Sequence, residues 1–391
     1  MATTSTRSPN IEATARIAID VAGPAAGRVD AEARFPDKAI DALKQARLLS
    51  AFVPQELGGF GCGMLELSSM CETLGQHCSS TAMVFAMHQI QVACLVRHHG
   101  GSEYIRKYLR ALVKRQNLIA SVTSEVGVGG ELRTSLCAVE RQGDRFRLEK
   151  NASTISYGEC ADDLLVTARR SPDSPASDQS LVLVGKADCT LETTGTWDTL
   201  GMRGTCSPSF KMTSSGSVDQ ILPDSFANIA SHTMVPFSHI LWASCWLGIA
   251  TAAVSRARAF VRSQARAKPG STPPTALRLA EAAGMLQMMR ANVHDVAAEC
   301  EQLIGQPDAG TDVLSSIAFG LKMNNLKVCT SQVAVDIVHR CLLICGIQGY
   351  KNDSKFAIGQ HMRDVLSACL MVGNDRIYAT NASMLLVLKD D

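Results

Sequence analysis

Asn117-Leu-Ile-Ala-Ser-Val-Thr-Ser-Glu-Val-Gly-Val-Gly-Gly-Glu131 is the stretch on which the fold turns. Its first residues are rich in branched side chains, which suit a half-buried strand, and its glycines permit the positive φ that ends one. Before it the chain reads as helix. Asp37 to Leu49 sets Ile40, Leu43, Ala46 and Leu49 three apart on one helical face, and residues 64–114 supply three more helical segments with no proline. Pro54-Gln-Glu-Leu-Gly-Gly-Phe-Gly61 is the turn between them.

After Asn117 short branched runs at Asn117–Thr123, Arg145–Glu149, Asp163–Ala168 and Ser180–Val184 are separated by Gly, Asp, Ser and Pro. They predict an antiparallel sheet or small barrel reaching to about residue 225. From Ser238 the pattern is helical again, in four long segments at 238–267, 275–306, 313–345 and 362–389, which predict an up-and-down bundle. The expected class is α+β, mostly α: an N-terminal helical domain over 1–116, a central antiparallel β-domain over 117–230, and a C-terminal four-helix bundle over 231–391.

With 391 residues, 46% of them hydrophobic, the chain can bury a large core. Lys plus Arg number 38 against 37 Asp plus Glu, so the whole-chain charge makes no case for nucleic acid or an anionic membrane. Small-molecule chemistry is favoured. The first ten residues carry no apolar signal segment, and no stretch shows some 18 uninterrupted apolar residues, so a cytoplasmic protein without a membrane span is expected. None of the 14 cysteines forms Cys-x-x-Cys, and Cys341 and Cys345 sit inside an apolar helical run. They read as reduced core residues, with no metal site.

Together with Cys345-Gly-Ile-Gln-Gly-Tyr350 and Arg363-Asp364 downstream, the opening stretch resembles the flavin-holding motifs of the acyl-CoA dehydrogenase superfamily. The Pro54–Gly61 turn and Leu200-Gly-Met-Arg-Gly-Thr-Cys-Ser207 resemble that family too. The resemblance implies the same three-part layout and an FAD cofactor. It sets Thr123, Ser124, Thr154 and Ser156 beside the flavin ring, Gly129 and Gly130 beside its phosphates, and Asn374 and Arg376 near those phosphates. Gly346, Ile347 and Gly349 would reach FAD bound by another subunit, implying a homo-oligomer, a tetramer or else a dimer. The family's proline is Val126 here, its tryptophan Thr154 and its phosphate-contacting serine Gly130.

The resemblance further implies α,β-dehydrogenation of an acyl thioester, on coenzyme A or a carrier protein, with a carboxylate removing the α-proton. The two family positions for that carboxylate hold Val372 and Ser238 here, and neither side chain can act. A relocated base is expected at His88 or Asp375, with His239, Tyr157 and Glu131 as further candidates. Substrate contacts are expected at His88, His239, Val372 and Gly373. The alternative is a monooxygenase of the same fold, using reduced flavin and O₂ and taking FMN or FAD, with Ser156 and His88 hydrogen-bonding the oxygenated cofactor. That chemistry needs no α-proton base. A non-catalytic scaffold is the second alternative. Expected partners are a small acyl thioester or related substrate and an electron-transfer partner or flavin reductase.

Overall fold

Six helices open the chain in the computed structural model, which describes residues 8–129 and 131–389, without the side chains of 307–309. They are α1 (Pro9–Ile17), α2 (Gly23–Ala31), α3 (Asp37–Gln45), α4 (Met64–His77), α5 (Ser79–His98) and α6 (Glu103–Arg115). Ser8 and Ser102 start α1 and α6 by accepting from Asn10 N–H and Ile105 N–H. Such caps satisfy donors that a helix start leaves free. In the Pro54–Gly61 turn, Gly58 and Gly61 have φ of 92° and 65°, and a Cβ on Gly59 would lie 2.0 Å from the Val53 carbonyl oxygen. Glycine is required there.

The C-terminal part contains α7 (Phe226–Ile229), α8 (Val235–Ala267), α9 (Thr275–Ile304), α10 (Pro307–Leu314), α11 (Ile317–Cys345), α12 (Ile347–Tyr350), α13 (Gly359–Leu366) and α14 (Asn374–Leu385). Helix α8 is the axis of the molecule and packs on α4, α5, α9 and α11. At its crossing with α4 the backbones nearly touch: a Cβ on Gly248 would meet the Glu72 carbonyl oxygen at 2.3 Å, and one on Gly75 the Cys245 carbonyl oxygen at 2.6 Å. The N-terminal helices therefore share one interior with the bundle. Three helical stretches, Ser79–His98, Phe226–Ala267 and Ile317–Cys345, are long and apolar enough on average to cross a membrane, although none is an uninterrupted apolar run. Their most apolar windows are 89%, 89% and 50% buried inside the protein.

Among the described residues, seven strands lie between the helical parts: β1 (Ile119–Val122), β2 (Glu140–Gln142), β3 (Arg145–Ala152), β4 (Asp163–Arg169), β5 (Gln179–Gly185), β6 (Cys189–Thr193) and β7 (Phe210–Ser217). They form two sheets, β1-β4-β5 and β2-β3-β7-β6. The expected antiparallel order fails at one pair, because β1 and β4 are parallel, with Ile119 opposite Asp163. Between them the chain crosses into the other sheet through β2 and β3, and so returns in the same direction. Strand β3 alternates cleanly, turning Phe146, Leu148, Lys150 and Ala152 inward.

The expected fourth bundle helix is also interrupted. A 3₁₀ turn over Ser367–Cys369 and a left-handed Val372, at φ 52°, separate α13 from α14. A β-branched residue is costly in that region of φ. All 14 cysteines are free, and most are buried.

Candidate active site

A cavity of about 1130 Å³ opens where the loop after β1 meets α5, α8, α11 and α14. It exceeds the roughly 300–1,000 Å³ of most small-molecule sites. The β-domain supplies a wall of hydroxyls. Ser207 Oγ donates to Ser156 Oγ at 2.9 Å and lies 2.9 Å from Thr205 Oγ1, which leaves the Ser156 proton free to point into the cavity. Ser124 Oγ donates to the Thr154 carbonyl at 2.6 Å and accepts from Thr154 N–H at 3.2 Å, tying the Gly-rich loop to the segment that carries Ser156.

That loop has a buried anchor. Glu125 accepts from Cys137 N–H at 2.7 Å, Leu136 N–H at 3.1 Å and Ser135 Oγ at 2.8 Å, and pairs with the buried Lys150 ammonium at 3.2 Å. Lys150 also donates to the Thr167 carbonyl at 2.7 Å. Burial lowers the Lys150 pKa and the Glu125 carboxylate opposes that shift. With every partner in place, the pair fixes the loop without leaving a bare buried charge.

Guanidinium groups line the cavity, two of them at this loop. Arg376 on α14 donates to the Gly129 carbonyl. Arg133 lines the cavity with no ion-pair partner among the described residues, and Arg363 pairs with Asp30. Asp364 ties the same corner together by accepting from Met202 N–H at 2.7 Å and Ser79 Oγ at 2.8 Å, and its burial pushes its pKa up to about 6. Hydroxyls, backbone N–H groups of a left-handed glycine turn and unneutralised guanidinium groups are the donor set that a flavin phosphate ester asks for. The residues present fit the group.

The opposite wall is apolar. Met83, Met87, Met234, Trp242, Phe319 and Met323 line it. His239 lies among them, only 4% exposed. Its Nδ1–H donates to the Met323 carbonyl at 3.1 Å, so Nε2 carries the lone pair. Burial lowers the His239 pKa to about 4, and the ring is neutral at physiological pH.

Thr123, Ser124, Gly129, Thr154, Ser156, His239, Val372, Gly373 and Arg376 are therefore brought to one cavity, and Gly130 lies outside the described residues. Others expected in the site are elsewhere. His88 faces away: its Nε2–H donates to the Leu49 carbonyl at 2.7 Å and its Nδ1 accepts from Ile119 N–H at 3.0 Å, which occupies both nitrogens. It joins the helical part to β1. Asp375 is exposed in the first turn of α14, where its charge suits the helix start, and does not line the cavity. Asn374 points into the bundle, accepting from the buried Lys327 ammonium at 2.6 Å and donating to Ser331 Oγ at 3.1 Å. Gly346, Ile347 and Gly349 are also outside the cavity, Gly349 packed on Cys345 and Ile347 68% exposed. Tyr157 is buried and donates to the Ile119 carbonyl at 3.0 Å. Glu131 lines the mouth, exposed, and accepts from Arg133 N–H at 3.2 Å.

Arg133, Gln91 and Trp242 are lining residues that the sequence reading missed. For Gln91 a signal existed: Met83, Met87, Ile90 and Gln91 share one face of α5, whereas His88 lies one residue, about 100°, beyond Met87.

Comparison with known proteins agrees with this architecture. The family of acyl-CoA dehydrogenase N-terminal domains matches residues 10–116, and that of acyl-CoA dehydrogenase C-terminal domains matches residues 229–384. A cyclohex-1-ene-1-carbonyl-CoA dehydrogenase of Geobacter metallireducens is 29% identical over 182 residues, 46% of this chain and 48% of that protein. The "Probable acyl-CoA dehydrogenase FadE25" of Mycobacterium tuberculosis is 24% identical over 362 residues, 90% of this chain and 88% of its own. Among solved structures, FMN-bound TdsC of Paenibacillus sp. A11-2 superposes with a TM-score of 0.83 at 17% identity, covering 97% of both chains. Butyryl-CoA dehydrogenase of Megasphaera elsdenii superposes with 0.82 at 18% identity, covering 97% of this chain and 99% of its own. The likeness to both structures is one of fold. On its matched domains and its three-part architecture, this chain belongs to the acyl-CoA dehydrogenase superfamily.

Proposed function

We propose that the protein is a flavin-dependent oxidoreductase that works as a monooxygenase, with FMN or FAD received in reduced form. The observation that carries this reading is the absence of an acid where α-proton removal needs one. Val372 and Ser238 both line the cavity, and among the described residues its only carboxylate, Glu131, is exposed at the mouth and bonded to Arg133 N–H.

Bound reduced flavin supplies the electrons that activate O₂. This chain's residues do the rest. The Ser124–Thr154 clamp and the Glu125–Lys150 anchor hold the hydroxyl wall in place, so that Ser156 can donate its free proton to an oxygen facing it. Gly129 N–H, Arg133 and Arg376, which line the cavity, would hold its phosphate end. The methionine-rich wall keeps water from the reacting atoms. Leu343 at the end of α11 and Ile347 and Tyr350 on α12, each at least half exposed, are proposed to meet a second copy of the chain.

A second reading is favoured by the curated relatives, which are acyl-CoA dehydrogenases: dehydrogenation of an acyl thioester with His239 Nε2 as base. Its depressed pKa makes His239 a weak base, which is why this reading ranks second. Oxygen uptake separates the two. The monooxygenase consumes O₂ only when a flavin reductase or photoreduction supplies reduced flavin. Steady turnover of acyl-CoA with an artificial electron acceptor under nitrogen would overturn it.

A further inference from the structure

We propose that Lys327 is a positioning residue for the flavin phosphate: through Asn374 it fixes the start of α14, and so the place from which Arg376 meets the glycine loop. This rests on the reading of the cavity as the flavin site.

Lys327 lies on α11 one turn beyond Met323, which lines the cavity. It is fully buried. Its Nζ donates to Asn374 Oδ1 at 2.6 Å and stands 6.0 Å from the centre of the Trp246 ring, and among the described residues no carboxylate pairs with it. An aliphatic side chain of the same length would fill that space without burying a charge. The ammonium is therefore explained by what it holds.

Asn374 is the first residue of α14, and the backbone that leads into it is irregular. Val372 and Gly373 have φ of 52° and 16°, and no side chain caps the helix start. The start is instead held from the bundle side, where Asn374 accepts from Lys327 and its Nδ2–H donates to Ser331 Oγ at 3.1 Å. Two residues later, about 200° around the helix, Arg376 points the other way, lines the cavity and donates to the Gly129 carbonyl. A side chain held on one face of α14 thus sets the reach of the guanidinium on the other.

The surroundings make this link sensitive to pH. Cys369 from the 3₁₀ turn and His239 from α8 are the titratable groups that act on the ammonium, and His239 is neutral. Asp375 of α14 is exposed, Asp364 of α13 is bonded to Met202 N–H and Ser79 Oγ, and Glu299 of α9 pairs with Lys322 at 2.6 Å. Burial lowers the Lys327 pKa to about 8, so the charge is present at neutral pH and is lost as the pH rises through 8. The bond to Asn374 then loses its charge assistance.

The test is the dissociation constant of oxidised FMN or FAD, whichever binds more tightly, from the full chain, read by quenching of flavin fluorescence. Lys327→Met keeps the length of the side chain and leaves Ser331 Oγ 3.3 Å from Asn374 Oδ1 as a donor. At pH 7 it should raise the constant about fivefold, and Arg376→Leu should raise it about tenfold or more. Because Lys327 acts through Arg376, the double variant should bind as Arg376→Leu does, within about twofold. The parent should lose about threefold in affinity between pH 7 and 9, and Lys327→Met should show no such slope. Losses that multiply in the double variant, or a parent whose affinity is level from pH 7 to 9, would overturn the inference. The pH series needs no variant, so it decides even where Lys327→Met does not fold. Binding of neither FMN nor FAD to the parent would overturn the flavin reading and this inference with it, whereas failure of the oxygen chemistry alone leaves the affinities and their slope standing.

Discussion

Ser207 Oγ donates to Ser156 Oγ across 2.9 Å, from the loop before β7 to the segment after β3. The bond fills a lone pair of Ser156 and leaves its proton for the cavity. Ser156→Ala should lower the yield of oxygenated product per reduced flavin consumed by about tenfold, the effect of one well-placed hydrogen bond. Hydrogen peroxide release should rise to match. Ser207→Ala should do the same more weakly, and peroxide and product assays on both variants check this.

Val372 is a β-branched residue held at φ 52°, half exposed to the cavity. Glycine adopts that conformation freely, so Val372→Gly should raise unfolding stability by about 1 kcal/mol despite its more flexible unfolded chain. Urea unfolding of the two proteins measures the difference. Val372→Glu places a carboxylate in the cavity and should create anaerobic bleaching of bound flavin by acyl-CoA where the parent shows none.

His88 should prove structural. Its replacement by Leu strips the Ile119 N–H of its partner inside the core, at about 1–3 kcal/mol for the group left bare, while the Leu49 carbonyl keeps the Gln89 amide at 3.2 Å. Turnover per folded molecule should stay within about threefold of the parent. His239→Leu should show the opposite pattern, with a larger loss of activity than of stability.

The placements of these two histidines show what was legible in the sequence. Strand, turn and helix signals around Asn117–Glu131 gave the three-part layout, and motif position brought Thr123, Ser124, Thr154, Ser156 and Arg376 to the cavity. Helix phase was the missing quantity. A step of about 100° separates His88 from Met87 and Asp375 from Arg376, and one residue of each pair lines the cavity while the other does not. The free lone pair of His239 was also out of reach, because it depends on the Met323 carbonyl. The parallel pairing of β1 and β4 was hidden for a similar reason: it is set by a crossover through the other sheet.

Acid sensitivity follows from the buried histidines. Burial lowers the pKa of His88 and His239 to about 4 and that of His361 to about 3, against an ordinary 6.5. Between roughly pH 6.5 and 4 the unfolded chain binds more protons, so their contribution is complete above 6.5 and is lost as the pH falls through that window. Asp364 works the other way, since a pKa raised to about 6 favours the protonated folded state and its contribution fades as the pH rises through 6. Burial raises Asp163 as it does Asp364, but it lowers His77, His98 and His232 as well as the three histidines above, and the histidines leave a net loss on acidification. The midpoint of thermal unfolding should fall from pH 7 to pH 4.5, and His88→Leu should flatten that dependence by about one proton, roughly 1.4 kcal/mol per pH unit.

The central claim is that the cavity holds reduced flavin for oxygen chemistry. Rapid mixing of the anaerobically reduced, flavin-loaded protein with O₂ tests it without a known substrate. The account expects reoxidation through a spectrally distinct third species that persists for seconds and is shortened in Ser156→Ala. Reoxidation in one step, as fast as that of free flavin and the same in the variant, would contradict it.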